Sequence, residues 1–103
     1  MSEKLTEWHG GGARAVIEIE AQNHPGVMAH IVGLFARRAF NIESIACCPS
    51  SDGSASRIWF LVERDGKVEQ MLKHVANLED VIAVRRRDER RDVFCRLREW
   101  LWK

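Results

Sequence analysis

The chain has 103 residues, 46% of them hydrophobic and 30% charged, with a net charge of +1. That is the balance of one globular domain around one core, and it says little about charged partners. No apolar run approaches the ~18 residues of a membrane span. Residues 1 to 12 are polar and glycine-rich rather than a signal-peptide core, and three cysteines without C-x-x-C spacing make neither a disulfide framework nor a metal site. The expectation is a cytoplasmic protein with reduced thiols, no metal and no membrane contact.

Residues 1–13 end in Gly10-Gly11-Gly12 and read as a mobile arm. Arg14 to Ala21 alternates, with Ala15, Ile17, Ile19 and Ala21 on one face and Glu18 and Glu20 on the other, which predicts a half-buried strand. Asn23-His24-Pro25-Gly26 is a turn into a helix, with Pro25 near the first helical position. Val27, Ile31, Leu34, Phe35 and Arg38 follow helical spacing, widened by Met28, Val32 and Ala39. Ile42 to Cys48 is a second strand, 49–54 a polar loop, and Arg57 to Arg64 a third strand. After an Asp65-Gly66 turn, Val68, Met71, Leu72 and Val75 mark a second helix, and Val81 to Arg85 a fourth strand.

The order strand, helix, strand, strand, helix, strand predicts an α+β, ferredoxin-like βαββαβ plan over residues 14–87. Its four-stranded antiparallel sheet carries two helices on one face. The third strand is apolar on both sides. Ile58, Phe60 and Val62 should meet the helices, leaving Trp59 and Leu61 beside Val16 on the open face. They form either a partner surface or a seat for the C-terminal tail. From Arg85 to Lys103 there are eight basic and four acidic residues, so this stretch carries +4 while the rest carries −3. Within the tail, 88–103, Phe94, Leu97 and Leu101 fall at helical spacing beside Trp100 and Trp102. Such a helix binds a partner or folds back over the domain's own apolar surface.

The most informative stretch is Asn23 to Met28 with the helix behind it. The first turn of a helix has no internal partners for its N–H groups, and the dipole adds partial positive charge there. This suits a carboxylate or phosphate. No catalytic set accompanies it: His9, His24, His30 and His74 are scattered, and no ligand cluster points to a metal. The turn suggests ligand binding, not catalysis. His24 is placed to cap the helix, and Arg37-Arg38 reads as a solvated helix end. Gly33 inside a helix costs about 1 kcal/mol against Ala, which suits close approach of a ligand or second subunit.

Asn23-His24-Pro25-Gly26-Val27-Met28, Gly33-Leu34-Phe35-Ala36-Arg37-Arg38-Ala39-Phe40-Asn41-Ile42-Glu43 and Arg57-Ile58-Trp59 resemble the ACT-domain regulatory subunits of acetolactate (acetohydroxyacid) synthase, in particular the short single-ACT-domain type of the valine-sensitive isozyme. The resemblance covers about residues 14 to 87. It implies a homodimer that binds a branched-chain amino acid, chiefly L-valine, between two ACT domains. The family's ligand-binding positions fall on Asn23, Gly26 and Asn41, and the N–H groups of Gly26, Val27 and Met28 suit the ligand carboxylate. It also implies a catalytic large subunit carrying thiamine diphosphate, Mg²⁺ and FAD, which this chain activates and places under valine feedback. The chain itself would hold no cofactor. Trp59 and Leu61 are the candidates for contact with that subunit. On the residues alone, Asn23 caps a helix and Asn41 ends one, as Asn commonly does.

Two other classes remain open. One is a free-standing ACT sensor acting on another enzyme or regulator, which co-purification with a thiamine-diphosphate enzyme would separate. The other is a nucleic-acid module on the same plan. The third strand, Ser56 to Glu63, lacks the Gly positions and most of the aromatics that stack bases in such domains.

Overall fold

The structure is a computed structural model that describes residues 14–63 and 66–103. The arm expected at 1–13 lies outside the described residues, as do Arg64 and Asp65. Four strands, β1 (Arg14–Gln22), β2 (Ile42–Pro49), β3 (Ala55–Glu63) and β4 (Val81–Arg86), form one sheet in the order β2-β3-β1-β4. Every pairing is antiparallel, with Ile17 opposite Phe60 in the central pair and Ile45 opposite Phe60 at the β2 edge. Helices α1 (Val27–Arg37) and α2 (Val68–Ala76) complete the ferredoxin-like βαββαβ arrangement.

The alternation read in the sequence decides what meets what. Ala15, Ile17, Ile19 and Ala21 of β1, and Ile58, Phe60 and Val62 of β3, pack against Val27, Ile31, Leu34 and Phe35 of α1 and Val68, Met71 and Val75 of α2. Phe35 anchors this layer, its ring 4.8 Å from Phe60 and edge-on to Phe40 at 5.9 Å. Such aromatic pairs add about 0.5–1.5 kcal/mol beyond their burial.

The second sheet face is covered. A 3₁₀ turn (Asp88–Arg90) leads into α3 (Arg91–Leu101). Phe94, only 1% exposed, sits on Val16 and Leu61, and Leu97, Trp59 and Ala46 pack around this second cluster. The Asp88 carboxylate accepts the Val16 N–H at 3.0 Å, Arg87 N donates back to Val16 O at 2.9 Å, and Arg91 Nη1 reaches Arg14 O at 3.0 Å. The tail is thus held to β1 by backbone pairing at its root and by Phe94 farther on.

This corrects two expectations. β1 is not half-buried: Val16 is fully buried, and Glu18 is 3% exposed on the face expected to be polar. Its carboxylate survives there because Trp59 Nε1 donates to it at 2.8 Å, with Arg85 and Arg87 each 3.4 Å away. Likewise Leu61, taken as an exposed partner contact, is 1% exposed beneath Phe94. Trp59 is half-buried, tied to Glu18 and overlain by the Arg90 guanidinium. In this chain the open face is the seat of its own tail.

Candidate ligand turn and its relatives

The turn before α1 has a definite geometry. Val27 N donates to His24 O at 3.3 Å, and Gly26 has φ 88° and ψ −13°. With Pro25 and Gly26 at the central positions this is a type II turn, whose third residue needs positive φ and so favours glycine. Nothing lies within 4 Å of the place a Gly26 Cβ would occupy. Glycine is therefore needed for the backbone conformation, and the space in front of it is open. Pro25 stands before the helix rather than in its first position, because α1 begins at Val27.

No side chain caps α1. Among the described residues, the N–H groups of Gly26, Met28 and Ala29 meet no acceptor, whereas that of Val27 closes the turn. Val27 is thus a weaker donor toward a ligand than the sequence suggests, and Ala29 is a donor the sequence reading missed. Its N–H could have been found by counting the orphan donors of the first turn.

Asn23 is not a helix cap. Its Nδ2 donates to Gly53 O at 3.0 Å, and its backbone N–H to Ser54 O at 3.1 Å. The loop that receives it is self-bonded. Asp52 Oδ1 accepts from Ser50 Oγ at 2.8 Å, Ser54 N at 3.0 Å and Ser54 Oγ at 2.8 Å. The Ser54 backbone bond and then the two serine hydroxyls hold the Asp52 carboxyl down at about 2. Because this pKa is depressed, the loop's hold on Asn23 is present at neutral pH and is lost only as pH falls through that value. The Asn23 side-chain oxygen has no partner among the described residues and remains free to accept from a ligand ammonium.

His24 does not cap the helix either. Its ring bridges to Asp80 at 2.8 Å and to Pro25 O at 3.3 Å, tying the turn to the loop before β4. The Asp80 bond, then the Pro25 carbonyl, raise its pKa above the ordinary 6.5. A raised pKa means the tie is present below 6.5 and fades as pH rises through the folded value. NMR titration should place His24 above 6.5, and Asp80→Asn should bring it back. An unchanged titration in the variant would show that Asp80 does not hold the imidazole.

Asn41 lies at the far end of α1. The helix closes with Phe40 N to Phe35 O and Ala39 N to Ala36 O, both 3.0 Å, and with Ala39 in the left-handed region at φ 61°. That is a Schellman closure with alanine where glycine is usual. Asn41 therefore does not end the helix. It is exposed, and its backbone oxygen accepts the Glu63 N–H at 3.3 Å. Eleven residues of α1, about 16 Å at 1.5 Å each, separate it from Gly26. One protomer brings Asn23, Gly26, Val27 and Met28 together but leaves Asn41 apart.

The family model described as an AHAS small subunit-like ACT domain matches residues 17–83. Over 71 residues the chain is 52% identical to the acetolactate synthase isozyme 1 small subunit of Escherichia coli K12, covering 69% of this chain and 74% of that one. It is 42% identical over 69 residues to a probable acetolactate synthase small subunit of Archaeoglobus fulgidus, covering 66% of this chain and 43% of the relative. The crystal structure of the acetolactate synthase small subunit from Thermotoga maritima superposes with a TM-score of 0.65 at 36% identity, over 71% of this chain and 46% of the other. The chain thus spans about three-quarters of one relative and less than half of the longer ones.

Proposed function

Because the chain belongs to the acetolactate synthase (AHAS) small-subunit family of ACT domains, we propose that it is the regulatory subunit of that enzyme, binding L-valine for feedback inhibition and activating the catalytic large subunit. The observation that carries the valine reading is the set of unpaired N–H groups at Gly26, Met28 and Ala29, in front of a glycine with open space before it. A ligand carboxylate takes those donors, as anions do at helix starts, and the Asn23 side-chain oxygen meets the ammonium.

Asn41 joins the site only from a second copy. A homodimer that sets two α1 helices antiparallel brings each turn beside its partner's Asn41 and makes two equivalent sites. Three features support this pairing. β2 is an edge strand with an unpaired side. Ile45 on it is 40% exposed. A Gly33 Cβ would touch only the flexible end of Arg37, at 3.5 Å, so nothing within one protomer calls for glycine there. Valine bridging two chains gains differential affinity for one dimer arrangement, which is the requirement for any allosteric effect. Couplings of about 1–3 kcal/mol are usual.

Neither a metal-ligand group nor a membrane-spanning helix occurs among the described residues. The thiamine diphosphate, Mg²⁺ and FAD of the reaction belong, in this reading, to the large subunit in the cytoplasm. The test is reconstitution. The chain alone should form no acetolactate, and adding it to the matching large subunit should raise turnover that valine then suppresses. Asn23→Ala and Asn41→Ala should each still activate while losing a charge-assisted hydrogen bond worth about 1.5–3 kcal/mol, and so need roughly tenfold or more valine. Unchanged turnover on adding the chain would overturn the regulatory reading, and wild-type valine sensitivity in both variants would overturn the site.

A further inference from the structure

The tail fills only part of the sheet face it covers. Phe94 closes that face over β1 and β3. Toward β2, the edge strand, an open groove of about 300 Å³ remains beside α3. Ala46 and Cys48 of β2, their cross-strand partners Trp59 and Arg57, Cys47, and Val93 of α3 line it. Apart from the Arg57 guanidinium its wall is almost wholly apolar. Two helical turns beyond Val93, Trp100, Leu101 and Trp102 stand 77%, 73% and 72% exposed. Elsewhere among the described residues the exposed large hydrophobics are single, Ile45 and Ile82. Single ones need no explanation, but a run of three at one helix end marks a contact surface. We propose that in a dimer of this chain Trp100 of each protomer seats in the partner's groove beside β2, a reciprocal exchange of tail ends.

Trp100 does not fill its own groove. Val93, already on the groove wall, lies seven residues back on the same helix, about 10 Å away along the axis. A second copy supplies both halves of the contact, and a surface that gives and receives in this way is what a two-fold dimer requires. The groove borders β2, whose outer side is unpaired and carries the exposed Ile45. That edge also supports the α1 pairing under Proposed function, so the inference rests on the dimer of that reading but not on its ligand.

The chemistry of the groove suits an indole. Arg57 is 56% exposed, with Glu20 only at 3.4 Å. A guanidinium over an aromatic face gains by cation–π attraction. The chain already uses that arrangement, with the Arg90 guanidinium 5.9 Å from the Trp59 ring centroid. The four tail indoles of a dimer would remove roughly 600 Å² of their own surface and a similar area of the surfaces that receive them. The total, roughly 1,200 Å², reaches the lower bound of a stable interface before α1 or β2 contributes. The family model ends at residue 83, so this contact belongs to the tail and not to the part of the chain that the model matches.

Sedimentation of the full chain across micromolar concentrations tests the exchange. Trp100→Ala leaves the protomer core untouched, and Cys48→Glu puts a carboxylate beneath the incoming indole. Each should weaken dimerisation by about tenfold or more. Ile82→Ser, at an exposed position on the opposite edge strand β4, should change it less than about twofold. Alkylation of Cys48 by iodoacetamide should slow as the wild-type concentration rises through the dissociation constant, and Trp100→Ala should remove that protection. A dissociation constant that neither variant moves would overturn the exchange and leave the valine dimer standing. A Trp100→Ala chain that dimerises as wild type but loses the catalytic subunit, or loses binding to phosphatidylglycerol vesicles, would overturn it too. A dimer weakened by both variants yet unable to bind valine would support the exchange and overturn only the ligand reading.

Discussion

Gly26→Asp should leave activation of the large subunit intact while raising the valine concentration for half-inhibition by more than about tenfold. The substitution fits sterically, since no atom lies within 4 Å of the new Cβ. It costs backbone energy, because φ 88° is a conformation that L-residues other than Asn and Asp rarely adopt. Its main effect is electrostatic. It places a carboxylate against the unpaired N–H groups of Met28 and Ala29, where the ligand's own carboxylate is to sit. Gly26→Asn separates the two contributions, having the same shape and the same left-handed tolerance without the charge. A valine dose–response on reconstituted enzyme should show a far larger shift for Asp than for Asn. Equal shifts would mean that the turn matters for its backbone alone and is not the anion site.

The second large effect concerns the tail. Phe94→Ala should destabilise the chain by about 3 kcal/mol, the low end for a buried Phe truncated in a core. For a domain of this size that lowers Tm by more than 10 °C, at roughly 4–8 °C per kcal/mol. Leu101→Ala, at a position 73% exposed, should stay within about 0.5 kcal/mol of wild type. Denaturant unfolding measures both. Hydrogen exchange adds a finer readout, as Phe94→Ala should release protection at Val16 and Leu61 before the helical face opens. If Phe94→Ala and Leu101→Ala behave alike, α3 is not docked on the sheet in solution.

Much of the fold was legible because burial followed simple periods. The alternation of Ala15, Ile17, Ile19 and Ala21 and the helical spacing of Val27, Ile31, Leu34 and Phe35 each marked the face that the structure buries. The second sheet face was legible only in part. Trp59 and Leu61 announced that β3 is apolar on both sides, and Phe94 and Leu97 announced an apolar helix stripe, but nothing local says that the two belong together. Glu18 misled for a physical reason. A carboxylate in an alternating strand reads as solvent-facing, and only the long-range approach of Trp59, Arg85 and Arg87 makes its burial tolerable.

The turn shows the same limit. Its Pro-Gly pair specified the type II geometry, yet the role of Asn23 was not legible, because its partner Gly53 is thirty residues away. The end of α1 was obscured by Ala39, which takes a conformation that sequence reasoning assigns to Gly or Asn. Asn41 was singled out by resemblance alone, and its distance from Gly26 explains why no single-chain argument joins the two.

The most direct measurement is calorimetric titration of the full chain with L-valine, with leucine and isoleucine as competitors, alongside sedimentation at micromolar concentration. The account predicts a dimer with one saturable valine site per protomer, lost or weakened by about tenfold in Asn23→Ala and Asn41→Ala alike. It also predicts that a mixed dimer of those two variants binds one valine, because one of its two sites keeps both asparagines. A monomer with and without valine, or a dimer in which Asn41→Ala binds valine as wild type does, would contradict it.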